Sequence, residues 1–170
     1  MRKTIYLAYG SNLNMEQMKY RCPDAKAVGA SVIEGFRLNF RGTQRGTGFA
    51  NIERCRGSRV PVGIWKISND DELNLDMYEG YPHLYIKDYV AFNYGNKTYT
   101  GLVYIMRQGH PVLAPAKWYE DTIRTGYDDF GIDTQPLDEA LENINELKKQ
   151  AYEWRSYCEL SGKVGSSWVV

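Results

Sequence analysis

Two short stretches carry residue types that could do chemistry. In Tyr9-Gly10-Ser11-Asn12-Leu13 an apolar run stops at a Gly-Ser-Asn turn, and a new pattern begins at once. A strand that ends in such a turn and opens a helix leaves amide N–H groups unpaired, and these form nests for anions. Gly10 permits the sharp turn and a ligand's close approach, and Ser11 and Asn12 add side-chain donors. Taken alone, the turn either holds a carboxylate or phosphate or is an ordinary strand–helix turn that binds nothing. The second stretch is Met77-Tyr78-Glu79-Gly80-Tyr81-Pro82. A carboxylate near a helix C-terminus is opposed by the helix dipole, and aromatic neighbours desolvate it. Both effects raise a pKa and suit a general acid/base; a solvated surface glutamate is the other reading of Glu79. His83, in a Pro-containing turn, is the rival base and reads as exposed, and His110 before Pro111 reads as rim or surface. Ser11 has no histidine/acid partners that would make it a nucleophile.

Composition narrows the classes. The 170 residues fit one domain, 1–170, large enough to bury a core without staples. Lys+Arg and Asp+Glu are equal at 21 each, which argues against nucleic acid as a partner, since phosphate binding leaves a basic excess. Arg37, Arg41, Arg45, Arg54, Arg56 and Arg59 cluster in one third of the chain and read as solvated strand faces and loops. Cys22, Cys55 and Cys158 show no repeating spacing, and with two histidines they supply a zinc site poorly, so no metal is expected. Free thiols point to a reducing, cytoplasmic setting. The basic start is followed by too short an apolar stretch for a signal peptide, and no apolar run is long enough to span a membrane.

These groups need elements to position them. Ile5–Tyr9 reads as a first strand, apolar on both faces and therefore central. Asn14-x-x-Gln17 is a capping box for a short helix whose Met15, Met18 and Cys22 share a face and which Pro23 stops. Residues 26–41 read as strands, and Phe36–Arg41 alternates strictly, as a strand with one wet face does. Phe49–Ile52 and Val60–Ile67 read as further strands, either side of an unassigned stretch. An acidic start at Asn69–Glu72 opens a helix ending near Glu79-Gly80. Tyr85–Asn93 and Thr98–Met106 flank the turn Tyr94-Gly95-Asn96-Lys97 and form a hairpin. Residues 107–135 hold a helix over Trp118–Arg124 within an irregular segment, either a lid or pocket wall or a plain surface excursion. Leu137, Leu141, Ile144, Leu147, Ala151, Trp154 and Cys158 make one stripe on a helix of about residues 136–158. That stripe covers the core or, alternatively, forms a dimer seam, so monomer and homodimer both stay open. The tail after 161 reads as loose or as a docked apolar plug. Strands that do not alternate with helices exclude a doubly wound sheet. The expected fold is α+β, a closed mixed β-barrel of six to seven strands with surrounding helices.

In order, the chain carries Tyr9-Gly10-Ser11-Asn12-Leu13 after a strand, Phe36–Phe40, Val62-Gly63-Ile64-Trp65, and Asp76-Met77-Tyr78-Glu79-Gly80 before a Tyr-bearing strand. This series resembles the gamma-glutamylcyclotransferase-like family, closely over residues 4–106 and more loosely beyond. The resemblance implies a closed mixed barrel whose pocket is framed by Tyr9–Leu13, and a catalytic glutamate at Glu79. It also implies pocket tyrosines at Tyr85, where the spacing is slightly short, and at Tyr104. Family members release 5-oxoproline from a small γ-glutamyl amine or γ-glutamyl amino acid. That chemistry needs no cofactor, because the substrate brings both nucleophile and electrophile. The alternatives are a barrel of the same fold that binds a carboxylate without turnover, and an interaction protein working through its C-terminal helix.

Overall fold

The computed structural model describes residues 3–42 and 46–160. The expected tail after 161 and part of the 42–48 loop, including Arg45, lie outside the described residues. β1 (Thr4–Ala8) leads through a single 3-10 turn (Ser11–Leu13) into α1 (Met15–Arg21). β2 (Lys26–Arg41) and β3 (Phe49–Ile67) follow, then α2 (Asn69–Glu79), β4 (Tyr85–Tyr94), β5 (Lys97–Met106), α3 (Lys117–Phe130) and α4 (Gln135–Leu160). The five strands form one sheet in the order β2-β3-β1-β5-β4. β1 sits in the middle, as its two apolar faces require, antiparallel to β3 and parallel to β5.

Two expectations about the sheet are corrected. Among the described residues there are five strands, because Lys26–Arg41 is one continuous strand and Phe49–Ile52 and Val60–Ile67 belong to another of 19 residues. The sheet is also not a closed barrel: no ladder joins the edge strands β2 and β4. The edges nevertheless meet through side chains. Ser31 Oγ donates to the Asn93 carbonyl at 2.5 Å, and Tyr94 OH donates to the Val28 carbonyl at 3.0 Å. Bulges between Ala27 and Gly29 and between Glu34 and Phe36 bend β2 and strengthen its twist, which coils it toward β4.

The local signals act as physical chemistry dictates. Asn14 accepts from the Gln17 amide and caps α1; Met18 and Cys22 are buried, while Met15 is partly exposed. Ser68 and Asp71 close a full capping box on α2, and Gly80 ends it in the left-handed region at φ 64°. Phe36, Leu38 and Phe40 are buried and alternate with more exposed neighbours. Three arginines of the basic cluster are drawn into ion pairs: Arg37 and Arg41 meet Glu53, and Arg54 meets Asp88. On α4, Leu137, Ala140 and Ile144 are buried and Leu147 and Tyr152 are exposed, so the first turns of the stripe cover the core; the side chains of Ala151, Trp154 and Cys158 lie outside the described residues.

α3 runs past the expected end at Arg124, straight through Gly126. Gly126 is there for packing. A Cβ at this position would sit 2.5 Å from Leu13 Cβ and 2.6 Å from the Asn14 amide nitrogen. Only a glycine lets α3 lie directly on the turn that follows β1. Residues 107–135 are thus anchored to the Gly-Ser-Asn turn. Among the described residues, no helix is long and apolar enough to cross a membrane.

Candidate active site

A cavity of about 210 Å³ opens where the turn after β1, the end of α2, β4, β5 and α3 converge. Tyr9, Gly10, Ser11, Asn12, Glu79, Tyr85 and Tyr104 all line it. Leu13 does not: it is fully buried and packs against Gly63 and Gly126. Gly10 earns its place sterically, since a Cβ there would sit 2.9 Å from Ala50 Cβ. The turn's own hydrogen bonds begin at the Leu13 and Asn14 amides, which donate to Gly10 and Ser11. The Ser11 and Asn12 amides precede those bonds and receive no partner from the turn.

Glu79 ends α2, and its carboxylate faces this cavity. Glu79 is half-buried, and this burial pushes its carboxyl up to about 7. Two weaker influences work the other way: the Arg21 charge and a hydrogen bond of 2.8 Å from Asn12 Nδ2 to Glu79 Oε1. Asn12 Nδ2 also donates to the Tyr6 hydroxyl at 2.9 Å, while Asn12 Oδ1 accepts from Arg21 Nη1 at 2.6 Å. Arg21 has only donors to offer, so the atom of Asn12 that faces it is the oxygen. Asn12 therefore serves Glu79 from inside the protein.

The tyrosines divide by where their protons go. Tyr85 OH donates to the Ala50 carbonyl at 2.9 Å, and Tyr9 OH donates to the Tyr104 carbonyl. Tyr104 presents its ring to the cavity and sends its hydroxyl to Asp76 Oδ1 at 2.6 Å. Burial pushes the hydroxyls of Tyr6, Tyr9, Tyr85, Tyr104 and Tyr119 well above the usual phenol value, so each stays a neutral donor. His83 is exposed and, like His110, does not line the cavity. Among the described residues, no group of three or more His, Cys, Asp or Glu is placed to hold a metal ion.

Tyr6, Tyr78, Tyr119 and Arg21 were not singled out in the sequence. Tyr119 comes from α3 and makes part of residues 107–135 a pocket wall. Arg21 lies four residues after Gln17, whose Oε1 it binds, and this i, i+4 pairing was the available signal. Tyr6, three residues before Tyr9, carried no pattern that separated it from a core aromatic.

Comparison with known proteins bears on what this arrangement is. Gamma-glutamylcyclotransferases of Bos taurus and Homo sapiens are each 33% identical to it over 82 residues. That match covers 45% of this chain and 44% of each relative, so it spans less than half their length. A solved gamma-glutamyl cyclotransferase structure superposes with a TM-score of 0.72 at 26% identity, over 85% of this chain and 87% of that one. YkqA from Bacillus subtilis shares the fold, with a TM-score of 0.71 at 19% identity over 85% of this chain and 55% of that one. The family model described as gamma-glutamyl cyclotransferase, AIG2-like matches residues 6–121, from β1 into α3 and so across every strand and the whole cavity, and the chain belongs to that family.

Proposed function

We propose that the protein releases 5-oxoproline from a γ-glutamyl amine or γ-glutamyl amino acid, with Glu79 as the general acid/base. The observation that carries this reading is a single carboxyl raised to about 7, facing a cavity beside a Gly-Ser-Asn turn with spare amides. A group that titrates near neutrality can both take and return a proton at working pH. In the bound substrate the α-ammonium gives a proton to the Glu79 carboxylate. The freed amine attacks the γ-carbonyl carbon. Glu79 passes the proton to the leaving nitrogen as its bond to carbon breaks, and the remaining excess proton on the ring nitrogen follows to the released amine. The products are 5-oxoproline and an ammonium, and no water is consumed.

Because nucleophile and electrophile sit in one molecule, holding the folded conformer supplies much of the rate. Well-oriented intramolecular reactions reach effective molarities of roughly 10⁵–10⁸ M. The Ser11 and Asn12 amides are the proposed donors to one polar end of the substrate, its α-carboxylate or the developing oxyanion. Tyr9, Tyr85 and Tyr104 are proposed to shape the cavity around the γ-glutamyl group. The test is a mass-spectrometric screen for 5-oxoproline over γ-glutamyl amines and γ-glutamyl amino acids. Release by the wild type that is lost in Glu79→Gln is the expected result. Equal release by both proteins would refute the assignment of Glu79.

A further inference from the structure

Arg21 does not line the cavity, yet it reaches the turn from behind. Its guanidinium carbon lies 3.7 Å from the centre of the Tyr78 ring, and Gln17 Oε1 accepts from its Nη2. From that braced position Nη1 donates to Asn12 Oδ1 at 2.6 Å and approaches Ser11 Oγ at 3.4 Å. An asparagine amide can sit either way round, and the two ends are nearly the same size. Were Asn12 turned over, its carbonyl oxygen would face the Glu79 carboxylate and its NH₂ would face a guanidinium, unfavourable at both ends. As placed, one N–H goes to Glu79 and the other to the Tyr6 oxygen. The Tyr6 oxygen thus accepts, and among the described residues its own proton has no acceptor. Tyr6 lines the cavity, so that proton is available to a bound ligand.

We infer that Arg21 is a positioning residue: it locks Asn12 so that Glu79 is held as the base and the Tyr6 hydroxyl is left to donate into the cavity. The role in turnover rests on the proposed cyclising activity; the role in orientation does not. The groups facing Glu79 are few. Tyr6 and Tyr9 approach from the β1 side, Tyr85 from β4, Tyr119 from α3, and Arg21 with its neighbour Tyr78 from α1 and α2. Arg21 is the only cation in that set.

The experiment needs no substrate at first. In protein labelled at glutamate Cδ, carbon NMR follows the Glu79 carboxyl, assigned by its loss in Glu79→Gln, while proton–nitrogen spectra follow the Asn12 side-chain amide. Arg21→Met is expected to move the Glu79 midpoint upward by about one unit, and to uncouple the Asn12 amide from that titration. Arg21→Lys keeps the charge on a helix that still forms but loses the planar fork. It is expected to hold the midpoint near that of the wild type while still releasing the Asn12 amide. An unmoved midpoint in Arg21→Met, or an Asn12 amide that titrates normally in Arg21→Lys, would overturn the inference. Release of 5-oxoproline from γ-glutamyl-alanine is then measured against pH. An acid limb that rises with the Arg21→Met midpoint extends the role to turnover. A shifted midpoint in a protein that makes no product from any γ-glutamyl compound would leave Arg21 its role and remove the proposed activity instead.

Discussion

Helix α2 carries two carboxylates three residues apart that meet opposite fates. Asp76 is given everything a charge needs. Lys87 Nζ lies 2.8 Å from its Oδ1, and the Tyr104 hydroxyl donates to the same oxygen at 2.6 Å. Lys87 also reaches Glu72 at 2.7 Å, and Thr4 Oγ1 donates to Glu72 at 2.9 Å. Burial pulls the Lys87 ammonium down, but the two carboxylates outweigh it and hold its pKa above the usual value. Glu79, one turn further on, faces the cavity with a neutral amide on Oε1, and its nearest cation is held off behind Asn12. The first arrangement pairs its carboxylates directly with a cation; the second keeps a proton negotiable. A carboxylate becomes useful for moving protons when the fold desolvates it and denies it a direct cation.

The largest expected effect of breaking this contrast is on turnover. Glu79→Gln keeps the shape and an acceptor for Asn12 but cannot exchange a proton, and 5-oxoproline release should fall by about 10²–10⁴-fold. The same variant sharpens the comparison through stability. The folded carboxyl titrates near 7 against 4.5 for an ordinary glutamate, so the folded state binds more protons between those values. Stability should therefore fall as pH rises through that window and stay low above it. Glu79→Gln removes this penalty. It should be more stable than the wild type at pH 8, by up to about 3 kcal/mol. At pH 4, where both side chains are neutral, the two should melt together. Urea denaturation at the two pH values reads the difference directly. A variant that is no more stable at pH 8 would mean that Glu79 is solvated.

Lys87→Met tests the other carboxylate. It strips the cation from Asp76 and Glu72, whose side chains are about one-fifth exposed. The loss should lie between the values for buried and surface pairs, about 1–3 kcal/mol. Denaturant unfolding at neutral pH measures it. The acid limb of any turnover profile should stay where it is, because Lys87 does not line the cavity.

What was legible in the sequence follows the range of the forces involved. Local signals could be read: the central β1, the Asn14 cap of α1, the acidic start and glycine end of α2, the β4–β5 turn, and Glu79 at the end of its helix all rest on neighbours within a few residues. Long-range matters could not. The Phe49–Ile67 stretch looks like two strands because Arg54, Arg56 and Arg59 interrupt its apolar pattern, yet pairing with β2 carries it through. Whether the sheet closes depends on how far bulges coil β2 toward β4, and no local pattern states that. The helix expected over Trp118–Arg124 runs on through Gly126 because that glycine packs on Leu13, more than a hundred residues away, and no local pattern shows this. The relay from Arg21 through Asn12 to Glu79 joins α1 to α2 and could not be composed from either stretch alone.

The smallest expected effect comes from Tyr104→Phe, and it separates the two carboxylates most cleanly. The ring would go on lining the cavity, since only the hydroxyl is removed, and that hydroxyl points to Asp76. Asp76 loses a charge-assisted hydrogen bond but keeps Lys87, so the cost should be about 1–2 kcal/mol. The backbone carbonyl of residue 104, which accepts from Tyr9, is untouched. Stability should fall in urea while 5-oxoproline release changes by no more than about threefold, the scale of a small shift in geometry. A loss of release comparable to that of Glu79→Gln would show that the Asp76 network and the Glu79 cavity are a single device, and that Tyr104 joins them through its hydroxyl.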